Sequence, residues 1–168
     1  IGLWWWGNQP HGPDDWHGPV NGFSVSVFQR YQTPLKKDFP SDAQIDSDLK
    51  LLRKYTGRIR TYSTQENPQI YRLARQDGLK VMAGANIDTR ERNNEREIDQ
   101  LIALANRYPD TIERVIVGNE VLFRGDLPLE QMIRYLDRVR AHVRQPVSIA
   151  EPDYIWIKYP ELAEHVDF

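Results

Sequence analysis

The stretch Val115-Ile116-Val117-Gly118-Asn119-Glu120-Val121 decides how this chain is to be read. Four small or β-branched residues in a row describe a strand buried on both faces, and that run stops at a glycine followed by two polar side chains. An amide and a carboxylate are therefore presented at the carboxyl end of a buried strand. In α/β barrels that end of the strands is where chemistry is held.

Working outward, the same unit recurs on both sides. Upstream, residues 23–28 (Phe-Ser-Val-Ser-Val-Phe) and 58–62 read as strands, and residues 79–85 as a third that ends at Asn86 and Asp88. Between them, Ser41-Asp42-Ala43-Gln44 matches a capping box that opens a helix to about Tyr55 with Ile45, Leu49 and Leu52 on one stripe. Asn67-Pro68 is expected to open a second helix that ends at Gly78. A third helix is expected from about Asn94 to the stop at Pro109. Downstream, Pro128 starts a helix carrying Met132, Ile133, Leu136, Val139 and Val143, and residues 146–150 form a fifth strand ending at Glu151. Residues 166–168 read as the beginning of a sixth.

Strand and helix alternate throughout, at a repeat of about 31 residues, which is the pattern of a parallel sheet with helical crossovers. Two architectures satisfy it. One is an open sheet of five or six strands; the other is a (β/α)8 TIM barrel of which this chain supplies roughly the first five βα units. A closed barrel needs about 250 residues. The given sequence has 168 and ends on an apolar run, which favours the barrel reading.

Composition narrows the function classes. The 24 acidic and 22 basic residues give a net charge of -2, so no basic face for nucleic acid is expected. There is no cysteine, which removes thiol catalysis, disulfides and thiolate metal sites together. Residues 1–21 carry Trp4, Trp5, Trp6 and Trp16 among prolines and glycines and read as an N-terminal arm, the folded domain starting at Gly22. Tryptophan is enriched at membrane interfaces, so this arm is compatible with a transmembrane helix preceding residue 1, and equally with an ordinary N-terminal extension.

If the strands lie side by side, the polar residues at their carboxyl ends converge on one mouth: Gln29 to Tyr31, Tyr62 and Ser63, Asn86 and Asp88, Asn119 and Glu120, and Glu151. Tyrosines, amides and carboxylates suit a neutral polyhydroxylated ligand. Phosphate suits less well, because Gly84 and Gly118 are isolated and no glycine-rich loop follows any strand.

The run from Val117 to Val121 resembles the fourth-strand signature of glycoside hydrolase family 17, the β-1,3-glucanases and related glucan transglycosylases. Arg60-Thr61-Tyr62 is similar to that family's second-strand Arg-x-Tyr, and residues 81–86 to its third strand, which ends in a substrate-facing Asn. The likeness extends over residues 22–168 and is strongest in the bacterial branch, whose members often accompany a membrane-embedded glucan synthase. It implies a retaining glycosidase or transglycosylase acting on β-1,3-glucan without cofactor or metal, located in the periplasm or otherwise outside the cytoplasm. Glu120 would be the general acid/base, protonated through burial or a neighbouring carboxylate. Asn119, Tyr62, Asn86 and Tyr31 would contact the sugar. The family's nucleophile is a Glu on the seventh strand, at about position 209 by the repeat length, so the 168 residues alone would be catalytically incomplete.

Two other readings compete. A metal-dependent barrel enzyme would use Glu120 and Glu151, with Asp88 or Asp167, as oxygen ligands for a hard cation. A noncatalytic glucan-binding module of a glucan synthase would keep the aromatic cleft alone. Glu151 beside Pro152 reads more readily as a turn carboxylate, and His11, His17, His142 and His165 are assigned no catalytic role.

Overall fold

The computed structural model describes residues 2–8, 16–18 and 20–168. Among them, five strands form one parallel sheet: β1 (Phe23–Ser24), β2 (Arg58–Arg60), β3 (Lys80–Ala85), β4 (Ile112–Asn119) and β5 (Val147–Ala150). Their order in the sheet is their order in the chain. No strand order reverses, as it would at the switch point of a doubly wound sheet, so this is the curved wall of a (β/α)8 barrel.

The crossovers are α2 (Asp42–Leu52), α3 (Ile70–Gln76), α4 (Glu91–Arg107) and α6 (Leu129–His142), while α1 (Gly2–Gly7) lies in the arm. Their apolar stripes meet the outer face of the sheet. Ile45 and Leu49 of α2, Tyr71 and Ala74 of α3, Ile98 and Leu101 of α4, and Met132, Leu136 and Val139 of α6 are buried with Ile59, Val81, Ala83, Val115, Val117 and Val147 of the strands. The inner face keeps Arg58, Arg60, Met82 and Glu113 around a hollow beside β1, where Arg58 Nε pairs with Glu113 Oε1 at 3.0 Å. A register shift between Val81 and Met82 inserts Glu113 as an extra residue in β4. It moves Val115 and Val117 into phase with Ile112 on the helix side.

The decisive stretch folds as expected over most of its length, with residues 115–118 buried, but its last member, Val121, opens a helical turn, α5 (Val121–Arg124), that the residue pattern did not announce. Ser41 and Gln44 form the expected reciprocal cap, and α2 stops at Leu52, short of Tyr55. Asn67 does not cap α3. Its carbonyl instead accepts from Ile70 N in a turn, and the helix starts two residues past Pro68. Helix α4 begins at Glu91, ahead of Asn94, whose buried amide bridges the Asp88 backbone, donating to its carbonyl at 2.7 Å and accepting from its N–H at 3.0 Å.

Two strand expectations are corrected. The first strand was expected over 23–28 but pairs only at Phe23 and Ser24, with Val25 N still bonded to Arg60 O, because the chain then turns away from the open sheet edge. Residues 166–168 are not a sixth strand. A further helix, α7 (Asp153–Lys158), and a 3-10 turn (Pro160–His165) precede them. Asp167 N donates to Val147 O, but the Asp167 carboxylate, not a backbone carbonyl, takes the Val147 N–H. Of the arm, residues 9–15 and 19, with His11 and most of its prolines and glycines, lie outside the described residues.

Candidate active site

Strand β4 ends in a turn that requires glycine at position 118. Gly118 has φ +85°, and a Cβ there would lie 2.6 Å from Val121 Cγ2. Glu120 then adopts the left-handed conformation, φ 56° and ψ 31°, with its N–H donating to Ala150 O of β5 at 2.7 Å and its carbonyl accepting from Arg124 N at 2.9 Å. A non-glycine residue held there stores backbone strain of about 1–3 kcal/mol, a feature that concentrates at functional sites. The strain turns the Glu120 side chain out to solvent at the strand end. Among the described residues its carboxylate has no hydrogen bond or ion pair. Burial, one of the two surroundings expected for it, is not supplied: Glu120 is exposed.

The preceding residue is held from two strands away. Arg60, at the end of β2, reaches across β3 and donates from Nη2 to Asn119 Oδ1 at 2.8 Å. The crossing is possible because β2 and β3 approach closely at Gly84, where a Cβ would stand 2.3 Å from Thr61 O. The Arg60 guanidinium also lies 4.9 Å from the Tyr62 ring centroid. With Oδ1 committed to a cation, the Asn119 amide has its N–H2 left to act as a donor.

Below this layer the loop that carries Tyr62 is anchored through its neighbours. Thr61 Oγ1 is 3.1 Å from the Tyr71 hydroxyl, whose pKa is driven well up by complete burial. The buried Glu97 carboxylate accepts from Ser63 Oγ at 2.5 Å, Thr64 N at 2.8 Å and Thr64 Oγ1 at 2.7 Å. Beside it, between the chain leaving β1 and this loop, is a cavity of about 90 Å³ lined by Val25, Phe28, Tyr62, Glu66 and Asn67. Burial, and then the Glu97 charge, push the Glu66 carboxyl above its usual range.

Tyr62, Asn119 and Glu120 therefore come together with Arg60. Asn86 is exposed at the end of β3, between the two strands that Arg60 links. Tyr31 stands apart in the turn after β1, 79 % exposed, with its ring covered by Arg30. Arg60 and Arg124 were missed as site residues. Arg60 lies inside the Arg-x-Tyr signature, which was the available signal; Arg124 gave none.

Apart from Glu120, the carboxylates proposed as metal ligands are otherwise engaged. Both Glu151 oxygens accept backbone N–H groups, from Leu122 at 2.8 Å and Phe123 at 3.2 Å. Burial raises the Glu151 pKa, while those donors and Arg124 oppose the rise. Asp88 is ion-paired with Arg90, whose side-chain hydrogen bonds lower its pKa. Asp167 is paired with Arg140 at 2.8 Å. Among the described residues, no three His, Asp or Glu side chains are grouped so as to hold a metal ion. Of the histidines, His165 pairs with Asp137, and His142 caps onto Arg138 O.

Comparison with known proteins returns the same assignment from independent sides. The profile of the family described as "BtgE/BtgC glycoside hydrolase domain" matches residues 22–168. A probable glucan endo-1,3-beta-glucosidase btgC of Aspergillus clavatus is 31% identical over 133 residues, covering 70% of this chain and 19% of that protein. The glucan endo-1,3-beta-glucosidase btgC of Emericella nidulans is 31% identical over 115 residues, 61% of this chain and 18% of its own length. The β-1,3-glucanosyltransferase of Rhizomucor miehei, a glycoside hydrolase family 17 enzyme, superposes with a TM-score of 0.73 at 26% identity over 88% of this chain and 54% of that one. An active-site mutant of it in complex with laminaritriose gives 0.74. The chain thus spans about a fifth of the curated relatives and about half of the solved enzyme. A parallel wall in barrel order, a Gly-Asn-Glu turn at the end of its fourth strand and a family match over residues 22–168 make this chain a member of the BtgE/BtgC glycoside hydrolase domain family.

Proposed function

We propose that this chain is the N-terminal part of a retaining enzyme that cleaves or transfers β-1,3-linked glucan, with Glu120 as general acid/base. The observation that carries the reading is the unpartnered Glu120 carboxylate, held outward by a left-handed backbone next to an Asn119 amide fixed by Arg60. Glu120 protonates the glycosidic oxygen as the C1–O bond breaks, then takes a proton from the incoming water or sugar hydroxyl. The Asn119 N–H2 donates to the sugar 2-oxygen, Tyr62 and Asn86 line the donor side, and Tyr31 lies toward the periphery of the cleft. The nucleophile belongs to a later strand than β5. The likeness to the btgC glucan endo-1,3-beta-glucosidases and to the Rhizomucor β-1,3-glucanosyltransferase supports the substrate class.

The test is Glu120→Gln in the natural full-length protein, assayed on laminari-oligosaccharides. Turnover is expected to fall by several orders of magnitude with oligosaccharide binding kept. Retained turnover overturns the assignment. Binding without turnover in the unaltered full-length protein would select the glucan-binding module instead.

We further propose an extracytoplasmic, membrane-associated setting, in the bacterial branch of the family and beside a membrane glucan synthase. The support is α1, whose Leu3, Trp4 and Trp6 are exposed together. No helix among the described residues is long and apolar enough to cross a membrane. Protease accessibility in intact cells and cofractionation with membranes test this reading; a wholly protected cytosolic protein refutes it.

A further inference from the structure

The turn that carries Glu120 is fixed from β5, and the side chain that does most of the fixing is Glu151. Asn119 and Ala150 are register partners at the ends of β4 and β5, so Glu151 follows directly beside the strained residue. Ala150 O takes the Glu120 N–H at 2.7 Å. The two Glu151 oxygens then take the N–H groups of Leu122 and Phe123, at 2.8 and 3.2 Å. Glu120 is thus bracketed, its own amide bonded to the last residue of β5 and those two and three positions on bonded to the residue that follows β5. From the opposite side Arg124 donates to Asn119 O at 2.5 Å and Ile87 O at 3.2 Å. The main chain at Glu151 is itself tied to α7, where Trp156 Nε1 donates to the Glu151 carbonyl oxygen at 3.2 Å.

This arrangement is not that of a substrate contact. Each oxygen accepts from a main-chain donor of a neighbouring loop, the residue is partly buried, and the loop held is the one that follows the proposed acid/base. We infer that Glu151 is a positioning residue for Glu120: it holds the Val121–Phe123 turn so that the left-handed backbone at position 120 aims the carboxyl at the glycosidic oxygen. The inference rests on the acid/base reading of Glu120.

A positioning role has a kinetic signature that simple stability does not. Proton donation matters when the leaving group is a sugar alkoxide, which must depart as an alcohol. It matters far less when the leaving group is fluoride, which departs as a stable anion without that proton. Displacing an acid/base carboxyl by about 1 Å costs on the order of 10²-fold. In the natural full-length protein, Glu151→Ala is therefore expected to lower kcat/KM by about that factor on a laminari-oligosaccharide. On the matching glycosyl fluoride the expected loss is under about tenfold. The dissociation constant for the intact oligosaccharide, measured by calorimetry, stays within about twofold.

Glu151→Gln keeps one acceptor oxygen for the turn and is expected to fall between Ala and the parent; if the alanine variant does not fold, it carries the test. Equal losses on both donors, or a weakened dissociation constant with an unchanged donor ratio, overturn the inference. Glu120→Gln run alongside separates the two layers. If it loses the glucan reaction and spares the fluoride while Glu151 variants show no such selectivity, only the positioning role fails. If it keeps the glucan reaction, the acid/base reading fails with it.

Discussion

Replacing Glu120 by glycine is expected to stabilise the protein while removing the proposed activity, and replacing it by alanine is expected to do only the second. Glu120 holds φ 56° and ψ 31°. A residue with a Cβ in that region costs roughly 1–2 kcal/mol relative to the right-handed one. Glycine escapes the clash but loses about 0.5–1 kcal/mol more backbone freedom on folding. The balance is a gain of roughly 0.5–1 kcal/mol for the glycine variant over the alanine variant. For a domain of this size that is about 1–4 °C in Tm. Alanine is the necessary control, because both variants remove the same carboxylate and only one removes the Cβ. No side-chain hydrogen bond of Glu120 is lost in either. Urea titration at neutral pH, with equal m-values, reads the difference. A glycine variant no more stable than the alanine variant would show that the turn is not strained at position 120, and the account of how the carboxylate is presented would fall with it.

Three further outcomes follow from the same geometry. Gly84→Ala puts a Cβ 2.3 Å from the Thr61 carbonyl oxygen, so β2 must move away from β3; the expected loss is about 1–3 kcal/mol in urea unfolding. Arg60→Met removes the charged donor from Asn119 and is expected to cost about 1.5–3 kcal/mol by the same measurement, with Arg60→Lys recovering only part, because an ammonium lacks the planar fork. For Glu66, burial and the Glu97 charge raise the folded-state pKa above 4.5. The folded state therefore binds this proton more tightly than the unfolded chain. That stability is complete below pH 4.5 and is lost as pH rises through the folded-state value. Glu66→Gln should accordingly be more stable than the parent at pH 7 and show no such advantage at pH 4. A constant difference between the two pH values refutes the burial argument.

What the sequence made legible was periodic and local. The alternation of strands and helical stripes led to the barrel wall, and Ser41 with Gln44 announced their own cap. The exposed strand-end placement of Glu120 was legible because a buried run that stops at a glycine and two polar residues marks where a strand ends. The failures are equally physical. The first strand was read to Phe28 because its alternation continues, yet ladder pairing stops where the chain leaves a sheet edge. The turn after Glu120 was invisible because four residues are too few for a helical period. Residues 166–168 look like a strand by composition, but Asp167 uses its side chain where a sixth strand would use its backbone.

The site itself is made of contacts that cross the chain direction, and this is the deeper limit. Arg60 meets Asn119 from 59 positions away, and Glu151 meets Leu122 from 29. Neither partner carries a mark of the other in its own neighbourhood, so Glu151 next to Pro152 looked like an ordinary turn carboxylate. The consequence is a separation of roles at the strand end. Among the described residues the side chain at position 120 makes no hydrogen bond or ion pair, while its backbone is dictated by Gly118 before it, β5 beside it and Arg124 behind it. Changes at position 120 should therefore alter chemistry with the fold intact. Changes at Gly118, Arg124 or Glu151 should leave the reactive group present and misplace it.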